Sequence, residues 1–450
     1  MAREKFGSRF GVLMAMVGSA VGLGNMWRFP YMVSEYGGAA FIFVYVLCVF
    51  CLCLPIFFAE FIIGRRSQAN AFRAFEKLAP GTPWKWVGLV AVTAPVVILS
   101  YYSVIGGWSI QYFFKACTFG FTERVTQEYL DTMFAGFISS TWAPIVGHTF
   151  FLIVTSLVLL GGVKSGIERF GKVMMPVLYV IVLVIAIWTA MLPGASEGLS
   201  FLFNPDFSKI DASVCAAALG QAFFSLSLGY GTMLTYASYV SKKEDIASSS
   251  TTIALSDLVF SLIASCAIMP AVFAFGLNTQ GGPGLVLQTL PYIFSQMPLG
   301  GLVAILFFLS LIVAALTSSI SLFEVGVAYL SEEKKMSRKK AVGLLFAIIW
   351  PIGVLCSLSF GPLSDIKIFG NTIFDFLDKL SANVLMTLGS LMVVIFVGWK
   401  MKKPDVLDEF TNGGTINKNA RLFKFVWPII RYVAPLVIIA IFLSNLLKIS

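Results

Sequence analysis

Apolar runs of close to twenty residues recur along the whole chain, separated by short polar segments. A run of about 20 apolar residues is what an α-helix needs to cross the hydrocarbon core of a bilayer. Eleven spans are predicted, near residues 9–32, 38–64, 86–115, 145–163, 170–192, 212–240, 247–276, 299–330, 339–359, 374–399 and 425–447. The pattern therefore predicts an all-α membrane protein, with residues 1–450 forming one transmembrane domain. The first run has no small-residue cleavage site ahead of Arg28, so it is expected to stay as a span instead of being removed as a signal peptide.

Two spans break the pattern. Gly18, Gly22 and Gly24 interrupt the first one, inside a stretch with no charge between Arg9 and Arg28. Glycine in a helix interior costs about 1 kcal/mol relative to alanine, so the helix is predicted to open there and present bare carbonyls and amides. Such backbone is tolerated at membrane depth only where it is buried in protein or lines a cavity. The sixth span repeats the feature, with Gly229 and Gly231 following Gln221-Ala-Phe-Phe-Ser225. Interrupted helices at matching places in two five-span units point to an inverted repeat with a binding site between the breaks. The units are expected over 9–192 and 212–399, with 425–447 as a peripheral helix.

Composition supports the medium and charge gives the orientation. Of the 450 residues, 58% are hydrophobic and 12% charged, whereas a soluble chain carries about 25% charged residues. The formal net charge of +9 comes from bases concentrated on one side: about 24 of 32 fall at the ends and loops that share a side with the N-terminus. That bias puts the N-terminus in the cytoplasm and, with an odd number of spans, the C-terminus outside a cell membrane. The charge reports orientation, so nucleic acid is not an expected partner. Cys48, Cys51 and Cys53 lie in an apolar run with no histidine nearby, and read as small core residues instead of metal ligands. No Ser/His/Asp or Cys/His constellation is evident, and Gly22-Leu23-Gly24-Asn25 lacks the strand–turn–helix setting of a dinucleotide fingerprint. The chain is not expected to be an enzyme.

Three motifs in order carry a resemblance. They are Ala20-Val-Gly-Leu-Gly-Asn-Met-Trp-Arg-Phe-Pro30, Gln221-Ala-Phe-Phe-Ser-Leu-Ser-Leu-Gly-Tyr-Gly231 and Ala314-Ala-Leu-Thr-Ser-Ser319. On these the chain resembles bacterial members of the neurotransmitter:sodium symporter family, and is similar to the bacterial leucine transporter. The resemblance implies that family's fold and sodium-coupled import of an amino acid by alternating access.

It also implies two sodium sites. One would use the carbonyls of Gly18, Val21 and Ala314 with the hydroxyls of Thr317 and Ser318, although hydroxyls in a membrane helix also bond back to their own carbonyls. The other would use the Ala20 carbonyl, Asn25, Ser225, Asp257 and the carboxylate of the substrate, which would couple ion to substrate. Asp257 departs from the leucine transporter, which has asparagine there. Tyr45, Gln221, Ser225 and Ser261 match the pattern of a chloride site in chloride-dependent relatives. A fixed charge on Asp257 would make chloride unnecessary, and chloride is the less favoured reading.

For the substrate, Gly24 leaves room for a carboxylate at the first break, where monoamine carriers have an aspartate. Tyr102 would donate to that carboxylate, while the Phe224 carbonyl and Ser227 hydroxyl would receive the ammonium. Leu23, Ile98, Phe224, Tyr230, Ser318 and Leu322 would hold the side chain, with Ala20 and Ser225 facing both substrate and ion. Nothing charged lines this set, so a neutral apolar or aromatic amino acid is expected.

The outer gate would be Arg28 with Asp378, and the inner gate Arg3 with Glu332, supported by Tyr239. Glu60 is expected to anchor the broken segments, and Glu324 to line the inner ion exit or be solvated. A non-transporting amino-acid sensor on the same fold is the alternative function; a channel conflicts with gates on both sides. The exact substrate, the ion stoichiometry and the oligomeric state are not encoded legibly.

Overall fold

The structure, a computed structural model, describes residues 4–118, 121, 125–277 and 285–447. Arg3 and the C-terminal Lys448 lie outside the described residues. The described chain is helical apart from turns and one isolated antiparallel bridge, Ile368 to Asn371.

Among the described residues nine helices are long and apolar enough to cross a membrane, ten with the bent first pair counted as one span, and a shorter broken pair adds an eleventh apolar segment. The first is a pair of helices, Arg9–Ala20 and Gly24–Glu35, bent by 54° at the predicted break. Ala39–Ser67, Lys85–Cys117, Trp142–Leu160 and Val163–Ala190 follow. The sixth is again a pair, Ala212–Ser225 and Thr232–Ala237. Ile246–Ala274, Gly300–Glu333, Arg338–Leu358, Ile373–Lys400 and Asn417–Ser444 complete the set.

Two starts differ from the sequence reading. The fifth span begins at Val163, seven residues earlier than position 170, although Lys164, Glu168 and Arg169 interrupt the apolar run. Glu168 is buried yet satisfied: it accepts the Gly7 amide at 2.5 Å, the Ser8 hydroxyl at 2.9 Å and Lys172 at 2.6 Å. The eleventh begins at Asn417, with an amphipathic front that ends at Pro428.

Burial separates scaffold from periphery. The third and eighth spans, 33 and 34 residues long, are 72% buried over their most apolar windows and pack against each other. The fifth and eleventh are only 33% and 28% buried, and present Val180, Ile187 and Leu436 outward. An apolar face of that kind is stable only against lipid or another protein. The two broken spans lie against this central scaffold, where opened backbone can be satisfied by neighbours.

Candidate functional site

At the first break Val21 leaves helical geometry (φ −72°, ψ 112°). Its carbonyl then accepts from Ser318 Oγ at 3.3 Å and Thr317 Oγ1 at 3.4 Å. The amides beyond it find side chains: Gly22 donates to Asn25 Oδ1 at 2.9 Å and Leu23 to the Tyr102 hydroxyl at 3.3 Å. Gly24 is required sterically, because a Cβ there would stand 2.7 Å from the Phe224 ring.

The second break works by backbone reversal. Ser227, Gly229 and Gly231 all have positive φ, at 54°, 91° and 71°. The Gly229 amide donates to Glu60 Oε1 at 2.7 Å, and Glu60 is completely buried. A Cβ on Gly229 would meet the Met386 carbonyl at 2.1 Å, so only glycine fits between the sixth and tenth spans. The breaks are tied together: the Ser227 hydroxyl donates to the Ser19 carbonyl at 3.0 Å, and Gln221 Nε2 to the Gly24 carbonyl at 3.3 Å.

Between the breaks lies a narrow cavity of about 40 Å³. Ala20, Gly24, Ile98, Tyr102, Phe224, Ser225, Ser227, Tyr230, Ser318 and Leu322, all named above as expected substrate contacts, line it. Leu23 does not; its contribution is the amide that Tyr102 accepts. The sequence reading left out of this wall Ser19, Gly22, Tyr101, Ser321, Ser381, Ala382 and Met386. Ser381, Ala382 and Met386 come from the tenth span, where no motif marks them. A serine in an apolar run was the available signal, and Ser381 is bonded to Tyr101 at 2.9 Å. The Phe224 carbonyl, expected to meet an ammonium group, accepts the Tyr230 hydroxyl at 3.3 Å.

Two oxygen-rich clusters flank the cavity. In one, Thr317 Oγ1 lies 3.0 Å from the Ala314 carbonyl and 3.4 Å from that of Val21, with Ser318 Oγ alongside and Gly18 packed on Thr317. Carbonyls and hydroxyls without a nearby base are the donor chemistry a hard cation takes.

The other is centred on Asp257, which is fully buried. Its Oδ1 accepts Asn25 Nδ2 at 2.7 Å, and its Oδ2 accepts Ser225 at 2.7 Å and Tyr45 at 3.4 Å. Asn25 also donates to Ser225 and Ser261, at 2.9 and 2.8 Å. Among the described residues no Lys or Arg pairs with Asp257. Of the residues matching a chloride site, Tyr45 and Ser225 spend their hydroxyls on this carboxylate. Ser261 bonds the Asp257 carbonyl at 3.0 Å, and Gln221 turns to Gly24.

The expected gates are only partly assembled. Arg28 stacks over the Phe224 ring, 4.6 Å from its centroid, and among the described residues forms no direct ion pair with Asp378. At the opposite end Tyr239 donates to Glu324 Oε1 at 2.8 Å, while Arg338 Nη2 bonds Glu324 Oε2 at 2.5 Å. Glu324 is fully buried, which corrects the reading of a solvated carboxylate. Glu332 caps Asn70, accepting its amide at 2.9 Å and its side chain at 3.0 Å. The Arg3 half of the expected inner pair falls outside the described residues.

Paired broken helices, a cavity between them and flanking cation-type oxygen clusters define a membrane transporter with the leucine-transporter fold. Comparison with known proteins gives the family. The chain matches the sodium:neurotransmitter symporter family over residues 3–133 and 138–450, and it belongs to that family. It is 39% identical over 441 residues to the uncharacterized sodium-dependent transporter YhdH of Bacillus subtilis, covering 98% of this chain and 97% of that one. It is 28% identical over 408 residues to the sodium-dependent serotonin transporter of Drosophila melanogaster, covering 79% and 64%. The crystal structure of MhsT in complex with L-phenylalanine superposes with a TM-score of 0.90 at 44% identity, covering 99% of this chain and all of that one. The protein is a sodium-dependent transporter and not an enzyme.

Proposed function

We propose that the chain imports a neutral, apolar or aromatic amino acid by alternating access, driven by two sodium ions. The observation that carries this reading is the pairing of an uncharged, partly aromatic cavity with an unneutralised buried carboxylate at its edge. An isolated buried charge costs several kcal/mol unless something compensates it. Sodium between Asp257, Asn25, Ser225 and the Ala20 carbonyl supplies that compensation. A substrate carboxylate beside Gly24 and Tyr102 would share the ion, so each would tighten the other. The second sodium would sit among Gly18, Val21, Ala314, Thr317 and Ser318. The phenylalanine in the MhsT complex supports the substrate class.

Chloride is not needed in this scheme. The hydroxyls that would hold an anion already serve Asp257, which provides the negative charge permanently. Gating follows the same geometry, with Arg28, Asp378 and Phe224 on the outer side and Glu332, Tyr239 and Arg3 on the inner side. The basic ends face the cytoplasm and the C-terminus lies outside. Residues 9–192 and 212–399 act as the two repeats, with 425–447 peripheral. The test is uptake of a panel of radiolabelled neutral amino acids into proteoliposomes under an inward sodium gradient, with potassium as control. Sodium-driven accumulation of one or a few apolar or aromatic amino acids is expected. Saturable binding without accumulation would overturn transport in favour of a sensor.

A further inference from the structure

Arg431 stands in the eleventh span, and among the described residues it has no counter-charge. Among the described residues its guanidinium has no hydrogen bond or ion pair, and its Nε is shielded from solvent and unpartnered. Two rings hold it instead. Its Cζ lies 5.0 Å from the centroid of Trp399 and 5.5 Å from that of Tyr432. Both rings are themselves on the outer surface, 59% and 52% exposed.

The backbone builds this arrangement. Pro428 has no amide, and the turn that follows, Ile429–Val433, is widened so that Ala434 bonds the Ile429 carbonyl. The Arg431 carbonyl takes its hydrogen bond from Trp399 Nε1, at 2.9 Å. Gly398 lets the tenth span approach closely enough, since a Cβ there would lie 3.0 Å from Arg431 Cα. The guanidinium is thus aimed by packing, not left to wander.

Its surroundings mark the edge of a bilayer. Tryptophan and tyrosine favour the headgroup level. Lys400, Lys402 and Lys403, all exposed, follow Trp399 directly. In the helix Asn417–Pro428, exposed Arg421 and Lys424 stand beside exposed Leu422 and Phe425. Basic and apolar residues on one short helix describe a segment lying in an interface.

We propose that Arg431, held between Trp399 and Tyr432, anchors a binding site for the phosphate of an anionic phospholipid in the leaflet on the basic side of the protein. A planar guanidinium with its terminal nitrogens free matches phosphate oxygens two at a time. Stacking fixes the fork, so little side-chain freedom is lost when the lipid arrives. The surrounding lysines add attraction for a net negative headgroup over a zwitterionic one.

The test is native mass spectrometry of the full chain purified in detergent and incubated with phosphatidylglycerol or with phosphatidylcholine of the same acyl chains. Phosphatidylglycerol is expected to be retained roughly fivefold or more in preference, and Arg431→Gln should lower that preference to what the neighbouring lysines alone supply. Trp399→Leu, which keeps the charge but loosens its aim, should reduce it; this second variant decides the matter if Arg431→Gln does not fold. Equal retention of both lipids by the unaltered protein would overturn the site. So would an undiminished preference in the variants. Displacement by millimolar inorganic phosphate would show a phosphate site indifferent to lipid, and loss of a dimer in place of lipid would show that a second copy covers the patch.

Discussion

At the Arg28 end of the cavity, closure consists of the Phe224 ring with a guanidinium 4.6 Å above its centroid, and Asp378 makes no direct ion pair there. At the Glu324 end, a carboxylate with no solvent exposure is clamped by Arg338 and Tyr239, at 2.5 and 2.8 Å. Arg338 also donates to the Leu159 carbonyl at 2.5 Å. Breaking a buried ion pair by removing one partner costs about 3–5 kcal/mol. A cation over an aromatic face contributes about 0.5–2 kcal/mol. The two ends of the cavity are therefore closed by different contacts, a cation stacked on an aromatic ring at one and a buried ion pair at the other.

The largest effect is expected from Arg338→Gln, which strands Glu324. Amide exchange in residues 4–12 and 236–240 should rise by orders of magnitude, matching about 3–5 kcal/mol. Unchanged exchange would mean that this ion pair does not hold that end closed. Gly24→Ala comes next: its methyl collides with the Phe224 ring, and overpacking of that kind costs about 1–3 kcal/mol. Sodium-driven uptake should fall at least about tenfold, while the circular dichroism spectrum stays helical. Arg28→Gln removes the stacking, about 0.5–2 kcal/mol, together with the charge facing Asp378, and should accelerate substrate release severalfold in a filter-binding chase. Asp378→Asn should do less than Arg28→Gln in the same assay, and a larger effect would mean that the ion pair dominates that gate.

The long spans were legible because lipid demands long apolar runs, and the two breaks because glycine in a helix interior is costly without a structural use. The fifth start was not, since a charge inside a helix reads as an end until its partners are known. Glu168 needs Gly7, Ser8 and Lys172, two of them some 160 positions away in the chain. The amphipathic front at Asn417 hid the eleventh start for a similar reason. In the site, residues beside the motifs of the first, sixth and eighth spans were readable with the family resemblance. The tenth-span wall was not, because Ala382 and Met386 are ordinary packing residues until the fold turns them inward. Glu324 was ambiguous because its partner Arg338 stands fourteen residues on, beyond a helix end.

In the proposed function Asp257 takes the place of a bound anion, and it carries the account. The decisive measurement is sodium-driven uptake in chloride and in gluconate, for the unaltered protein and for Asp257→Asn. The unaltered protein should transport equally in both. The variant should still respond to sodium but lose most of its uptake in gluconate and recover it in chloride. Chloride insensitivity in the variant would contradict the role given to this carboxylate.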